Sequence, residues 1–238
     1  MASGFLSADS LKQLNRDGYF LLPDVYTIDS KNQDRLQMDV AAASSFDLES
    51  AVNARWIRQD TVGWVNETNQ GGLAHARCLI RGIFGAIEAY RGDDERPLYH
   101  VSTAHRVPTH CQLARYDGAG ASYSIHRDSC DKSLWDQGPI AYLLATPERR
   151  RCLTAILYLS QGADDWCEED GGILLLYQGT EKKGASIEDA TGVVRVRPQA
   201  GSLLVFDSRL LHEVLPTHRK GRTALTSWCQ GARDVSDA

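Results

Sequence analysis

Tyr123-Ser124-Ile125-His126-Arg127-Asp128 places two metal-ligating side chains two residues apart. Successive side chains of an extended strand point to opposite faces, so a strand over Tyr123 to Asp128 sends His126 and Asp128 to the same face. A third ligand has to come from another strand. His212 is the candidate: it follows Phe206-Asp207 and precedes Glu213-Val214, just past a predicted strand end. Two histidines and one carboxylate form a facial triad with open coordination positions, an arrangement suited to ferrous iron. The spacing alone carries little weight, because 7 histidines and 31 acidic residues in 238 yield about 0.9 His-x-Asp/Glu matches by chance.

The residues downstream add to it. Arg222-Thr223-Ala224-Leu225-Thr226-Ser227-Trp228 reads as a strand whose Arg222, Ala224, Thr226 and Trp228 share one face. A guanidinium brought to a metal site from an apolar strand needs an anion, and a dicarboxylate suits its paired donors. The competing reading of Arg222 is a rim ion pair with one of the many acids.

Working outward, short β-prone runs alternate with turn signals after about residue 100. They are Thr109 to Tyr116, Tyr123 to Asp128, Cys152 to Leu159, Gly172 to Tyr177, Gly192 to Val196, Ser202 to Phe206 and Thr223 to Trp228. Many short strands in series predict a β-sandwich or barrel. The N-terminal part reads differently. Ser7-Ala8-Asp9-Ser10 offers N-cap residues, Gly18 ends that helical stretch, and Tyr19 to Leu22 reads as a strand stopped by Pro23. Residues 30–53 read as helical. From Gly72 to Tyr90, apolar residues recur at three and four, the pattern of an amphipathic helix packed on a sheet. We read one domain over 1–238. Residues 1–100 are mainly helical support, 101–231 the β core, and 129–151 an inserted loop beside the metal strand, of a length that points to a lid or substrate-selecting hairpin.

Composition sets outer bounds. The net charge of −5 argues against a nucleic-acid backbone as partner, and there is no basic stripe with interleaved aromatics. No apolar run approaches a membrane span, and the first residues lack a basic segment followed by an apolar core, so no secretory signal is expected. The six cysteines (78, 111, 130, 152, 167 and 229) form no Cys-x-x-Cys pair and are expected to be reduced thiols of a cytoplasmic or nuclear protein.

Taken in order, these pieces resemble the catalytic core of the 2-oxoglutarate and Fe(II)-dependent oxygenases. More narrowly, they resemble the prolyl hydroxylase domain enzymes, the oxygen-sensing branch of the prolyl 4-hydroxylases. The match runs through Ala114 to Gly120, Tyr123-x-x-His126-x-Asp128, Leu153 to Leu159, Trp166 with Gly171-Gly172-Ile173-Leu174, His212-Glu213-Val214-Leu215-Pro216, and Arg222 to Trp228. Outside the core, Arg58-Gln59-Asp60 followed by Trp64 is similar to the mobile substrate-covering loop of that branch.

The resemblance implies an α+β, mainly β architecture: a double-stranded β-helix, or jelly roll, with N-terminal supporting helices. It implies Fe(II) on His126, Asp128 and His212. It implies 2-oxoglutarate held by Arg222 and Tyr158, with Tyr116 and Thr226 lining its pocket. O2 is the oxidant, and ascorbate a reductant. The implied reaction is hydroxylation of a prolyl residue in a protein, with release of succinate and CO2, by an enzyme expected to be monomeric. Tyr123, Arg151, Ile156 and Trp228 match positions that approach the target proline or its peptide, and Arg58 and Asp60 match the covering loop. The Arg149 to Arg151 run is either a solvated charge run or a feature favouring an acidic peptide flank. Two other readings stand beside this one: the same oxygenase chemistry on a small molecule or another side chain, and a catalytically silent binding module of the same fold.

Overall fold

The computed structural model describes residues 6–26, 58–65, 71–91, 99–101, 111–129, 151–160, 166–182 and 184–233. The predicted helix over 30–53, most of the 129–151 insertion, Arg149, Arg150 and Cys130 lie outside them.

Helix α1 (Ala8–Asp17) starts where the Ser7 side chain accepts the Ser10 N–H, and stops at Gly18 in the left-handed conformation. It leads into strand β1 (Tyr19–Leu22). Strand β2 (Thr61–Val65) and helix α2 (Gly72–Ala89) follow, then β3 (Tyr99–Val101) and β4 (Cys111–Tyr116). The remaining strands are β5 (Ala121–His126), β6 (Arg151–Tyr158), β7 (Leu174–Gln178), β8 (Gly192–Val196), β9 (Leu203–Asp207), β10 (Leu211–Thr217) and β11 (Arg222–Arg233).

All pairings are antiparallel. One sheet runs β1-β9-β6-β11-β4-β2, with β3 on the far end of β11, and the other runs β5-β10-β7-β8. This is the expected jelly-roll arrangement. The larger sheet is apolar on both faces for different reasons. Leu153, Ala155 and Leu157 of β6, Leu203 and Val205 of β9 and Leu225 of β11 pack with Ile80, Ile83, Phe84 and Ile87 of α2. The alternate residues Ile156, Tyr158, Leu204, Phe206 and Ala224 pack with Leu174, Leu176 and Val196 of the smaller sheet. The helix that the three-and-four spacing predicted is therefore the backing of the sheet whose other face holds the site. Among the described residues no helix is long and apolar enough to cross a membrane.

Three strands went unread in the sequence. β2 lies in the segment expected to be a covering loop; its Thr-Val-Gly-Trp-Val stretch pairs with β4 instead, Trp64 opposite Gln112. β3 has only three residues. β10 carries Glu213 and Pro216, which obscure its pattern; His212 therefore lies within a strand, not past the end of one. Conversely, β5 stops at His126, and Asp128 lies beyond it. Between them, the Arg127 guanidinium donates to the carbonyls of Arg209, Thr180 and Ala185.

The two-faced sheet generates a prediction. Leu157, fully buried against the helical layer, has no part in the site. Leu157→Ala should cost about 2–5 kcal/mol in urea unfolding, without changing which ligands the opposite face binds.

Candidate metal and co-substrate site

The site is built on the inner faces of both sheets. Pairing of β10 with β5 puts His212 directly opposite His126. The imidazole Nδ1–H of His126 donates to the Ser124 carbonyl at 2.8 Å, and that of His212 to the Leu210 carbonyl at 3.0 Å. Each bond fixes the tautomer and leaves an Nε2 lone pair free. Both Nε2 atoms face Asp128, at 3.8 Å from Oδ1 for His126 and 3.6 Å from Oδ2 for His212. The ligand atoms of the three residues lie within 4.8 Å of one another. Asp128 thus joins the set from the turn after β5, where the sequence placed it on the strand.

The electrostatics suit a cation. Burial, and then the neighbouring His212, hold His126 below its ordinary range, so its ring is neutral at pH 7. Burial alone would raise the Asp128 carboxyl, but His212, His126, the Thr154 hydroxyl and the nearby Trp228 indole outweigh it and keep it ionised. Thr154 Oγ1 donates to Asp128 Oδ2 at 2.8 Å.

Arg222 and Tyr116 form a cross-strand pair, and so do Ala224 and Tyr158. Arg222 is 2% exposed. Its Nε–H donates to the Gly172 carbonyl at 2.7 Å, and its guanidinium lies 4.6 Å from the Tyr116 ring centroid and 5.6 Å from that of Tyr158. No carboxylate pairs with it among the described residues, so the rim ion pair is not what the fold builds. A buried guanidinium with no counter-ion among the described residues calls for an anionic ligand. The Tyr158 hydroxyl is buried and has no hydrogen-bond partner among the described residues. Burial, opposed by Arg222, pushes it up to about 12, so it remains a donor.

The triad and Arg222 open onto one cavity of about 110 Å³. Its walls include Tyr116, Thr226, Tyr123, Arg151, Ile156, Trp228 and Arg58, so every expected site residue except Tyr158 and Asp60 lies on them. Tyr158 backs Arg222. Asp60 does not face the cavity, because its carboxylate is taken by Arg58, at 2.7 and 2.6 Å. Arg58 also donates to Gln112 Oε1 at 3.0 Å and lies 4.6 Å over the Tyr123 ring, which stacks on His126 at 3.8 Å. Arg151 sits 3.9 Å over the Trp228 ring. The Glu168-Glu169-Asp170 run is a 3-10 turn; Glu168 meets Arg195, and Asp170 meets Arg219.

Sequence reasoning missed Thr154, Ser208, Gln112 and the part played by Gly172. The face-sharing rule would have found Gln112 and Thr154, which stand opposite Thr226 and Trp228; Ser208 sits in a turn and carries no such signal. Gly172 has φ +65°, and a Cβ there would lie 2.7 Å from Arg222 Cδ. Gly171 has the same need, since its Cβ would meet the Pro216 carbonyl oxygen at 2.1 Å. Trp166 holds the pair by donating its indole N–H to the Gly171 carbonyl at 2.9 Å.

Two outcomes follow. Gly172→Ala should destabilise more than Gly221→Ala. Both have positive φ, costing roughly 1–2 kcal/mol for an L side chain, but a Cβ on Gly221 meets nothing within 4 Å; denaturant midpoints compare them. The second concerns pH. Unfolded His126 takes up a proton near its ordinary 6.5, whereas the folded, buried ring resists it. The metal-free protein should therefore lose stability as pH falls below about 6.5, and more steeply than His126→Gln, when melting temperatures at pH 7 and pH 5 are compared.

Comparison with known proteins agrees with this geometry. A PKHD-type hydroxylase of Variovorax paradoxus is 33% identical over 140 residues, covering 59% of this chain and 51% of the relative. The chain thus spans about half the length of that relative. Among solved structures, a Pseudomonas putida prolyl-4-hydroxylase superposes with a TM-score of 0.60 at 22% identity, covering 97% of this chain and 98% of that one. A Trichoplax adhaerens prolyl hydroxylase, solved with a hypoxia inducible factor peptide fragment, gives 0.64 at 23% identity, covering 93% and 87%. Residues 111–230 match the family model of the 2OG-Fe(II) oxygenase superfamily, and with half of its length matched, the chain belongs to that superfamily.

Proposed function

We propose that this chain is a 2-oxoglutarate- and Fe(II)-dependent dioxygenase that hydroxylates a prolyl residue at the 4-position in a protein or peptide, releasing succinate and CO2. The observation that carries the reading is one cavity joining a two-histidine, one-carboxylate set to a buried arginine without a carboxylate partner among the described residues.

The residues present fit both groups. His126, Asp128 and His212 would hold Fe(II), which when bound supplies the activation of O2 coupled to oxidative decarboxylation of 2-oxoglutarate. Arg222 and Tyr158 would bind the distal carboxylate of 2-oxoglutarate, the first by charge and the second through its hydroxyl, which has no hydrogen-bond partner among the described residues. Both side chains are buried, which strengthens both contacts. Tyr116 and Thr226 would shape the pocket along the co-substrate. Toward the other end, Tyr123, Ile156, Trp228, Arg151 and Arg58 would contribute two aromatic rings, an aliphatic side chain and two cations, a lining suited to a proline ring and its flanking peptide. Asp60 would act through Arg58, holding its guanidinium over Tyr123. The hydroxylase and prolyl hydroxylase names of the similar proteins support the choice of proline.

The decisive experiment is mass spectrometry of proline-bearing peptides incubated with the enzyme, Fe(II), ascorbate and 2-oxoglutarate. A gain of one oxygen localised to proline is expected; turnover of 2-oxoglutarate that no such peptide stimulates would move the substrate to a small molecule. Arg222→Ala should weaken 2-oxoglutarate binding by about 1.5–3 kcal/mol, and an unchanged Michaelis constant for it would contradict the assignment. Asp128→Ala should abolish turnover.

A further inference from the structure

Asp128 is the metal ligand with no strand to hold it, yet its carboxylate is oriented by more than its neighbours in sequence. Thr154 Oγ1, fully buried on β6, donates to Asp128 Oδ2 at 2.8 Å. The Ser208 hydroxyl, also fully buried, lies 2.9 Å from Thr154 Oγ1. The donor order is decided by counting protons. An ionised carboxylate only accepts, so the single Thr154 proton goes to Asp128, and Ser208 must donate to Thr154. The result is a directed chain, Ser208 to Thr154 to Asp128, in which each bond polarises the next.

Ser208 is placed for this. It sits in the turn joining β9 to β10, the strand that carries His212. Asp207 closes that turn by accepting from the Arg209 backbone N–H at 3.0 Å and from its guanidinium at 2.9 and 2.6 Å. The Ser208 N–H donates to the Cys152 carbonyl, and its carbonyl accepts the Ser129 N–H at 2.9 Å, one residue past Asp128. The same residue thus grips the Asp128 turn by its backbone and the Asp128 carboxylate, through Thr154, by its hydroxyl.

We propose that Thr154 and Ser208 are positioning residues for the metal: their hydroxyl relay fixes the rotation of the Asp128 carboxylate toward His126 and His212. The inference rests on the metal-site reading above and extends it to two residues that touch neither metal nor co-substrate. Partners of this kind typically change metal affinity 10- to 100-fold.

The test is anaerobic titration of the full chain with Co(II), followed by visible absorption, alongside thermal melts of the metal-free proteins. Thr154→Val, which keeps the shape and removes the donor, should raise the metal dissociation constant roughly 10- to 100-fold. Thr154→Ser should restore it to near the wild-type value. Ser208→Ala should give a smaller loss, and the Thr154→Val/Ser208→Ala double variant should bind no worse than Thr154→Val alone, because Ser208 acts only through Thr154. The relay is overturned if Thr154→Val binds as wild type, if Thr154→Ser is as weak as Thr154→Val, or if the two losses simply add. Should Thr154→Val fail to fold, a wild-type dissociation constant for Ser208→Ala overturns it as well. A wild-type chain with no affinity for Co(II) would instead defeat the proposed function, and the relay with it.

Discussion

The antiparallel pairing of β10 with β5 sets His212 opposite His126, and the chemistry of the whole molecule depends on that register. A slip of one residue would turn His212 to the outer face of the smaller sheet and leave Asp128 beside a single imidazole. The register is held from several directions. β10 is also paired with β7 along its other edge. Arg127 ties the end of β5 to the carbonyls of Arg209, Thr180 and Ala185. The turn before β10 reaches the metal carboxylate through Ser208 and Thr154.

A second constraint is the division of labour within single strands. On β6, Leu153, Ala155 and Leu157 serve the helical layer, while Thr154, Ile156 and Tyr158 serve the space between the sheets. On β11, Leu225 serves the first, and Arg222, Ala224, Thr226 and Trp228 the second. The β period of two makes this possible and makes the strands intolerant of insertion. It also explains how a guanidinium is kept 2% exposed. Its desolvation is offset in part by the Gly172 carbonyl and two tyrosine rings, and the charge that remains is what an anionic co-substrate would meet.

Much of this was legible in the sequence because it is local. The capping of α1, the apolar stripe of α2, the period-two face of Arg222 to Trp228 and the His126-x-Asp128 spacing are statements about neighbours along the chain. The strand Gly192 to Val196 is observed with the predicted bounds. What escaped is instructive in each case. β10 was hidden by Glu213 and Pro216, which break the apolar alternation. Thr61 to Val65 looked like a loop because the resemblance outweighed its β-prone residues. The pairing of Asp60 with Arg58 also escaped, because nothing local says that a carboxylate two residues from an arginine will be spent on it.

The sequence by itself determined which residues have ligating chemistry, which face Arg222, Ala224, Thr226 and Trp228 share, and the family pattern they resemble. The tertiary structure alone decided that Asp128 leaves its strand and still converges on the histidines, that Arg222 lacks a carboxylate among the described residues, and that Thr154 and Ser208 orient the metal carboxylate. The reason is physical. Side-chain alternation is a property of one strand, but desolvation, hydrogen-bond direction and convergence on a point depend on which distant segments are packed together, and no spacing along the chain encodes those distances.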